Sequence, residues 1–210
     1  MTAPTPTQMA YEEMQIAYTH YNLGLFEGKL PDCLITFHRS KPNTFGYFSS
    51  NRFVRLDKSG TTTDEIAMNP IHFARRSVRE TMSTLVHEMT HLWQQHHGNP
   101  SRAAYHNREW GVKMREVGLH PSNTGAAGGK ETGQRMSHYI IEGGPFDKVT
   151  ALLAIGLSWG DAATMSLVAK PVGKSGKRTK YSCPDCGTNA WAASEVRIIC
   201  GDCKEPMEPV

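Results

Sequence analysis

The residues best equipped for chemistry in this chain are His87, Glu88 and His91, in the run His87-Glu88-Met89-Thr90-His91. Two histidines four apart on a helix differ by about 40° in direction and one turn in height, so both imidazoles aim at one ion. Glu88 follows the first of them. There its carboxylate lies beside an open coordination position and can take a proton from a water that the ion has acidified to a pKa of roughly 7. A merely polar, exposed helix face could carry the same letters. Here they sit in the middle of a strongly periodic segment, where Phe73, Val78, Met82, Leu85, Val86, Met89, Leu92 and Trp93 recur at threes and fours from about His72 to His97. That register is what a helix-borne metal pair requires.

A catalytic zinc takes three protein ligands and keeps a fourth position open. Several residues compete to be the third. His97 falls where a histidine three helical turns on would be wanted, but position 94 is Gln94 rather than the glycine that would bend the chain. With the helix running on, His97 faces away by about 240°. His96 has a similar problem. Glu109 and Glu116 would serve in a thermolysin-like arrangement. The strongest candidate is His106, at the start of a second helix over Asn107–Val117; the break at Gly98-Asn99-Pro100 lets the chain return, and Trp110 can anchor that helix against the first.

A second cluster lies at the other end. Cys183-Pro184-Asp185-Cys186 and Cys200-Gly201-Asp202-Cys203 are two knuckles separated by 13 residues, and together they offer four thiolates to a structural zinc. The intervening residues, with Trp191, Val196 and Ile198, suffice for the short strands of a ribbon but not for a metal-free core. Between the two chemistries lies Lys170-Pro-Val-Gly-Lys-Ser-Gly-Lys-Arg-Thr-Lys180, with five basic groups and no acid. Lys170, Lys174, Lys177, Arg178 and Lys180 can follow a phosphate backbone. Tyr181 and Trp191 beside them have the look of exposed aromatics that stack on unpaired bases.

These sites need elements to hold them. Residues 1–10 read as a frayed tail, Tyr11–Phe26 as a helix, Cys33–His38 as a strand, and Thr44–Ser49 with Arg52–Leu56 as a hairpin or meander. A short strand at Glu65–Met68 precedes the long helix. Pro121–Gly133 is a glycine-rich loop; it lacks the residues a phosphate loop needs at Thr124 and Glu131, and reads as a rim of the cleft. Met136–Ile141 reads as a strand; its His138 or Tyr139 could stabilise an oxyanion if it lay near a zinc, but the plainer reading is a partly exposed His138 beside a packed Tyr139, and both stay outside the catalytic set. Arg75, Arg76 and Arg79 read as a solvated helix face, and Cys33 as a core residue. The expected organisation is a tail at 1–10, a catalytic domain at 11–168, a flexible basic linker at 169–180 and a zinc ribbon at 181–210.

Composition bounds the rest. With 39% hydrophobic and 20% charged residues the chain suits a globular protein and not a disordered or fibrous one. Its longest apolar run, Val149–Leu157, is far short of the roughly 20 residues of a spanning helix, so no membrane partner is expected. No basic n-region and apolar h-region open the chain, which points to an intracellular, cytoplasmic protein, where five cysteines suit metal binding better than disulfides. The net charge of +3 is too small to argue for an anionic partner by itself.

Taken together, the motifs resemble the SprT-like family of zinc metalloproteases, which includes the Spartan proteases of DNA–protein crosslink repair. The resemblance rests on His87, Glu88, His91 and His106-x-x-x-Trp110. It rests also on Tyr21-Asn22, Leu30-Pro31, the strand Leu34–Phe37, Gly46-Tyr47-Phe48 and Ile66–Pro70 upstream, and on the C-terminal cysteine module. It implies an α+β, zincin-like fold, a small sheet packed on the long HExxH helix, followed by a zinc ribbon. It implies two zinc ions, one catalytic at His87, His91 and His106 and one structural at the four cysteines, with Glu88 as general base in peptide hydrolysis. Protein substrates associated with DNA, single-stranded or in nucleoprotein, and a place at the nucleoid follow from the same resemblance. A reading of another class stands beside it: a non-proteolytic nucleic-acid-binding stress or accessory protein whose working part is the ribbon.

Overall fold

The first helix starts earlier than the apolar pattern suggests, because Thr5, Pro6 and Gln8 build a start for it. Thr5 caps the helix and Gln8 reaches back to the Thr5 backbone, while Pro6 occupies the first helical position. Helix α1 (Pro6–Phe26) therefore includes half of the stretch read as a tail. The computed structural model describes residues 3–39, 43–57, 59–102, 105–164, 178–193 and 196–210, which divide into two compact units, Met1–Met165 and Ser166–Val210.

In the first unit α1 buries Met14, Ala17, Tyr18, Tyr21 and Phe26, a stripe at helical spacing. It ends where Glu27 and Gly28 turn left-handed, and Asn22 clips the returning chain by bonding both backbone groups of Leu30. A three-stranded sheet follows, in the order β1 (Leu34–Phe37), β3 (Thr62–Met68), β2 (Gly46–Val54). β1 runs parallel to the central β3 and β2 runs antiparallel to it. The segments read as a hairpin at 44–56 are thus one strand. Its ladder shifts register between Ser49 and Phe53, where Asn51 takes a φ of 50° and donates its N–H to Asp64 Oδ1 at 2.7 Å. A bulge of this kind looks like a turn in sequence because it uses turn residues.

A 3-10 turn at Pro70–His72 leads to α2 (Val78–His97), started by a capping box between Ser77 and Glu80. Every residue from Thr81 to Thr90 is buried, which places α2 at the centre of the unit. Met82, Leu85, Val86, Met89 and Leu92 share a core with Trp110 and Met114 of α3 (Arg108–Glu116) and with Tyr21 and Phe146. After α3 come the antiparallel pair β4 (Leu119–Ser122) and β5 (Ser137–Ile140), and then α4 (Pro145–Thr150). α4 leans on α1, where Tyr21 stacks on Phe146 at 5.6 Å and its hydroxyl meets Thr150 Oγ1 at 2.9 Å. Arg79 is no merely solvated cation: it pairs with Asp147 and Glu142, fastening α2 to this last segment.

The second unit carries β6 (Thr179–Ser182) between β7 (Asn189–Ala192) and β8 (Glu208–Pro209). Its small core is Tyr181, Cys183, Cys200 and Met207. The architecture is α+β: the first unit has small sheets and helices around the buried α2, and the second gathers four cysteines near the C-terminus. Among the described residues no helix is long and apolar enough to cross a membrane.

Candidate metal centre

Helix α2 aims His87 and His91 from one face, and the chain returns to supply His106 just before α3. The return is clamped by Glu109. Its carboxylate accepts the Asn99 N–H at 2.7 Å and the Gln94 amide at 2.7 Å, so the break after His97 and the start of α3 are tied together. Glu109 is a brace and not a ligand. His96 and His97 also point elsewhere, His96 to Asp64 at 2.6 Å and His97 to the Lys29 carbonyl at 3.0 Å. His106 is fixed by the glycine-rich loop: its backbone exchanges two hydrogen bonds with Gly133, and its ring Nδ1–H donates to the Gly133 carbonyl at 3.1 Å. Gly133 has a φ of 149°, which a side chain would disfavour.

One ring nitrogen from each of His87, His91 and His106 lies within 4.8 Å of the others, and the Nε2 atoms of His91 and His106 are 3.0 Å apart. Two nitrogens on a tetrahedral zinc with bonds of about 2.05 Å would be about 3.3 Å apart, so the donor set fits that ion. The fully buried Trp110 forms the wall behind all three rings, with centroid separations of 4.9, 5.1 and 4.4 Å to His87, His91 and His106. Desolvation holds the imidazoles neutral, as ligands must be. His87 is lowered well below its ordinary value by burial and by His138, His91 and His106, and His91 is lowered to about 3 by burial and then by His106.

Glu88 is buried, and burial pushes its carboxyl up to about 8. Its neighbour across the helix–sheet interface is Gly46 of the edge strand β2. A β-carbon there would stand 3.4 Å from Glu88 Cγ, 3.1 Å from Thr84 Cγ2 and 2.9 Å from the Ala67 carbonyl oxygen. Phe48, two residues along, lies parallel to His91 at 6.3 Å. The missing side chain at position 46 lets the strand pass directly over the acid.

A neighbour that spacing did not reveal is His138 on β5. Its Nδ1 lies 3.0 Å from His87 Nδ1 and its Nε2 lies 2.8 Å from Ser83 Oγ. Desolvation and the nearby Arg76 lower it to about 4. Arg76 itself is held by Thr84 Oγ1 and the Glu80 carbonyl and lies over the Phe45 ring, so it too is more than a solvated cation.

The family model of the SprT-like family matches residues 14–128, more than half of the chain. The chain belongs to the SprT-like family. A Salmonella typhimurium protein described as an uncharacterized protein in mucB 3'region is 51% identical over 61 residues, covering 29% of this chain and 80% of that protein. The SprT-like match takes in α2, His106 and α3 but ends before Gly133 and His138, which complete the surroundings of the histidines.

The C-terminal unit of this SprT-like chain gathers the ligand atoms of Cys183, Cys186, Cys200 and Cys203 within 4.8 Å of one another. Cys186 Sγ and Cys200 Sγ are 3.7 Å apart, far too long for a disulfide. Four thiolates at about 2.3 Å around a tetrahedral zinc would be about 3.8 Å apart, so this set fits the ion as well. Both knuckles turn alike: Gly187 N–H donates to the Cys183 carbonyl and Lys204 N–H to the Cys200 carbonyl, with left-handed φ values of 71° and 64°. The two aromatics do not behave alike. Tyr181 is buried and donates its hydroxyl to the Ala193 carbonyl, which makes it ribbon core rather than a stacking surface; Trp191 is 61% exposed. Of the basic residues, Arg178 and Lys180 are described, and Lys170, Lys174 and Lys177 lie outside the described residues.

Proposed function

We propose that the protein is a zinc-dependent endopeptidase acting on proteins associated with DNA. The observation that carries this reading is the convergence of three neutral imidazoles beside one buried carboxyl, under an edge strand without a side chain at the point of crossing. When bound, zinc in such a site supplies Lewis-acid polarisation of a carbonyl and acidifies water. Glu88 is placed to accept a proton from that water and to hand it to the departing amine nitrogen. Burial raises its proton affinity above that of an ordinary carboxyl, which favours holding the proton between the two transfers. The peptide itself has a natural seat. β2 is the outer strand of its sheet, and an extended chain can add to its free edge by backbone hydrogen bonds, beside Phe48 and the histidines.

Direction to DNA is proposed for the basic segment and the ribbon. Arg178 immediately precedes β6, Lys180 lies on it opposite Trp191, and Trp191 offers a face on which an unpaired base could stack. The deciding experiment compares wild type with Glu88→Gln on a protein crosslinked to single-stranded DNA, with zinc content measured in both. The expected result is about two zinc ions per chain in each protein, by the donor sets above, with cleavage only by the wild type. Equal cleavage by the variant would refute the peptidase reading and leave a nucleic-acid-binding accessory role for the ribbon.

A further inference from the structure

His87 differs from its companion His106 in what orients it. His106 gives its one ring hydrogen, on Nδ1, to a backbone carbonyl, an acceptor that cannot reverse. His87 meets the ring of His138, Nδ1 to Nδ1 at 3.0 Å. Two neutral imidazoles in that contact share one proton, and either could be its owner. If His138 owned it, the His87 proton would sit on Nε2 and that nitrogen could hold no metal.

The third member of the row removes the ambiguity. Ser83 Oγ donates its single hydrogen to the Glu80 carbonyl at 2.8 Å, because a carbonyl can only accept. Toward His138 Nε2, 2.8 Å away, Ser83 Oγ must then be the acceptor, so His138 carries its hydrogen on Nε2 and has a bare Nδ1. His87 Nδ1–H donates to that lone pair, and His87 Nε2 is left bare. We infer that His138 is a positioning residue for the metal centre: with Ser83 it locks His87 in the tautomer whose Nε2 lone pair faces the ion. The hydrogen bonds run in one direction from His87 through His138 and Ser83 to the Glu80 carbonyl, about two turns before the ligand on α2. Metal-ligating histidines generally have their second nitrogen fixed in this sense, and the partner strengthens the ligand. The unusual element is that another imidazole does it, on a strand that reaches the site from about fifty residues downstream.

The inference rests on His87 being a zinc ligand and not on peptidase activity, so the tests read metal and protons. In 15N-labelled wild type at neutral pH, long-range proton–nitrogen correlations should report His87 as the Nδ1–H tautomer and His138 as the Nε2–H tautomer, with and without zinc. Competition against a chromophoric chelator should show His138→Phe, which keeps the ring's bulk, binding the histidine-site zinc about 10–100-fold more weakly. His138→Asn places an amide oxygen near the lost Nδ1 and should recover most of that affinity. The cysteine-site zinc should not change in either variant. A wild-type His87 protonated on Nε2 would overturn this inference alone, and needs no variant to fold. Wild-type affinity in His138→Phe, or equal loss in the Phe and Asn variants, would overturn it too. Finding no zinc at the histidine site of the wild type would overturn the metal centre itself, a result that Glu88→Gln cleavage assays do not produce.

Discussion

Replacing Gly46 by alanine inserts one methyl carbon between sheet and helix, directly over the proposed base. That carbon would stand 2.9 Å from the Ala67 oxygen and 3.1 Å from Thr84 Cγ2. Carbon pairs settle at about 3.5–4.0 Å, so the methyl is several tenths of an ångström too close on both sides. Neither neighbour can give easily. Ala67 is on the central strand, laddered to both β1 and β2, and Thr84 is buried on the central helix. The strand must therefore lift, at a cost of about 1–3 kcal/mol for overpacking. At roughly 2–4 °C per kcal/mol for a unit of this size, the thermal midpoint should fall by roughly 2–12 °C. Circular dichroism at the helix band reads the right part of the molecule, since the described helices all lie in Met1–Met165. Zinc content should not change, because no ligand is on β2. Peptidase kcat/KM should drop further than the stability loss explains, by up to about 100-fold, since small misplacements of a catalytic group have effects of that size. The control is Gly156→Ala, where the added carbon meets nothing within 4 Å. A Gly46→Ala protein as stable and as active as that control would refute the close-packing argument.

Glu109→Gln should lower stability by about 1–2 kcal/mol in chemical denaturation through its hydrogen bonds to Asn99 and Gln94, yet keep both zinc ions; loss of the histidine-site zinc would make Glu109 a ligand after all. Cys33, pushed up to about 12 by burial and then by Asp64, should have its thiolate population cut about a thousandfold, and so should react with a disulfide reagent only as the first unit unfolds. Denaturant plus chelator should then expose five thiols per chain, and rapid labelling of the half-buried Cys33 in the native protein would contradict its raised thiol pKa. Changing Lys170, Lys174, Lys177, Arg178 and Lys180 together to glutamine should weaken single-stranded DNA binding and flatten its dependence on log salt by up to about 3.5, at about 0.7 per phosphate contact. An unchanged slope would locate DNA binding elsewhere or nowhere.

Much of the site was legible because its signals are local. The pair His87 and His91 is a matter of helical period, the two knuckles of fixed spacing, and His106 of a helix break followed by an anchoring Trp110. What escaped depends on where the chain returns. His138 was visible as a histidine on a strand, but nothing in Met136–Ile141 says that β5 comes back against α2 with its ring on His87. Gly133 reads as loop filler until its carbonyl is found holding His106. Tyr181 and Trp191 look alike in sequence, but the fold separates them: Tyr181 joins the ribbon core while Trp191 stays outside. The early start of α1 is a different miss. Thr5-Pro6-Thr7-Gln8 spells a capping box with proline at the first turn, and apolar periodicity alone passes over it.

The supports of the three histidines are spread along the chain in a way that bears on how the protein is made. His87 and His91 leave the ribosome first, then His106, and only later Gly133 and His138, which orient His106 and His87. At synthesis rates of about 5–20 residues per second, His138 follows His91 by roughly 2–10 s. Throughout that interval the pair on α2 has no strand β5 beside it, and the ring of His87 is free to carry its proton on either nitrogen. A nascent chain can thus hold every direct ligand and still lack the arrangement that makes them strong ones. On the proposed reading the histidine site is completed late in synthesis, by a segment that contributes no ligand of its own.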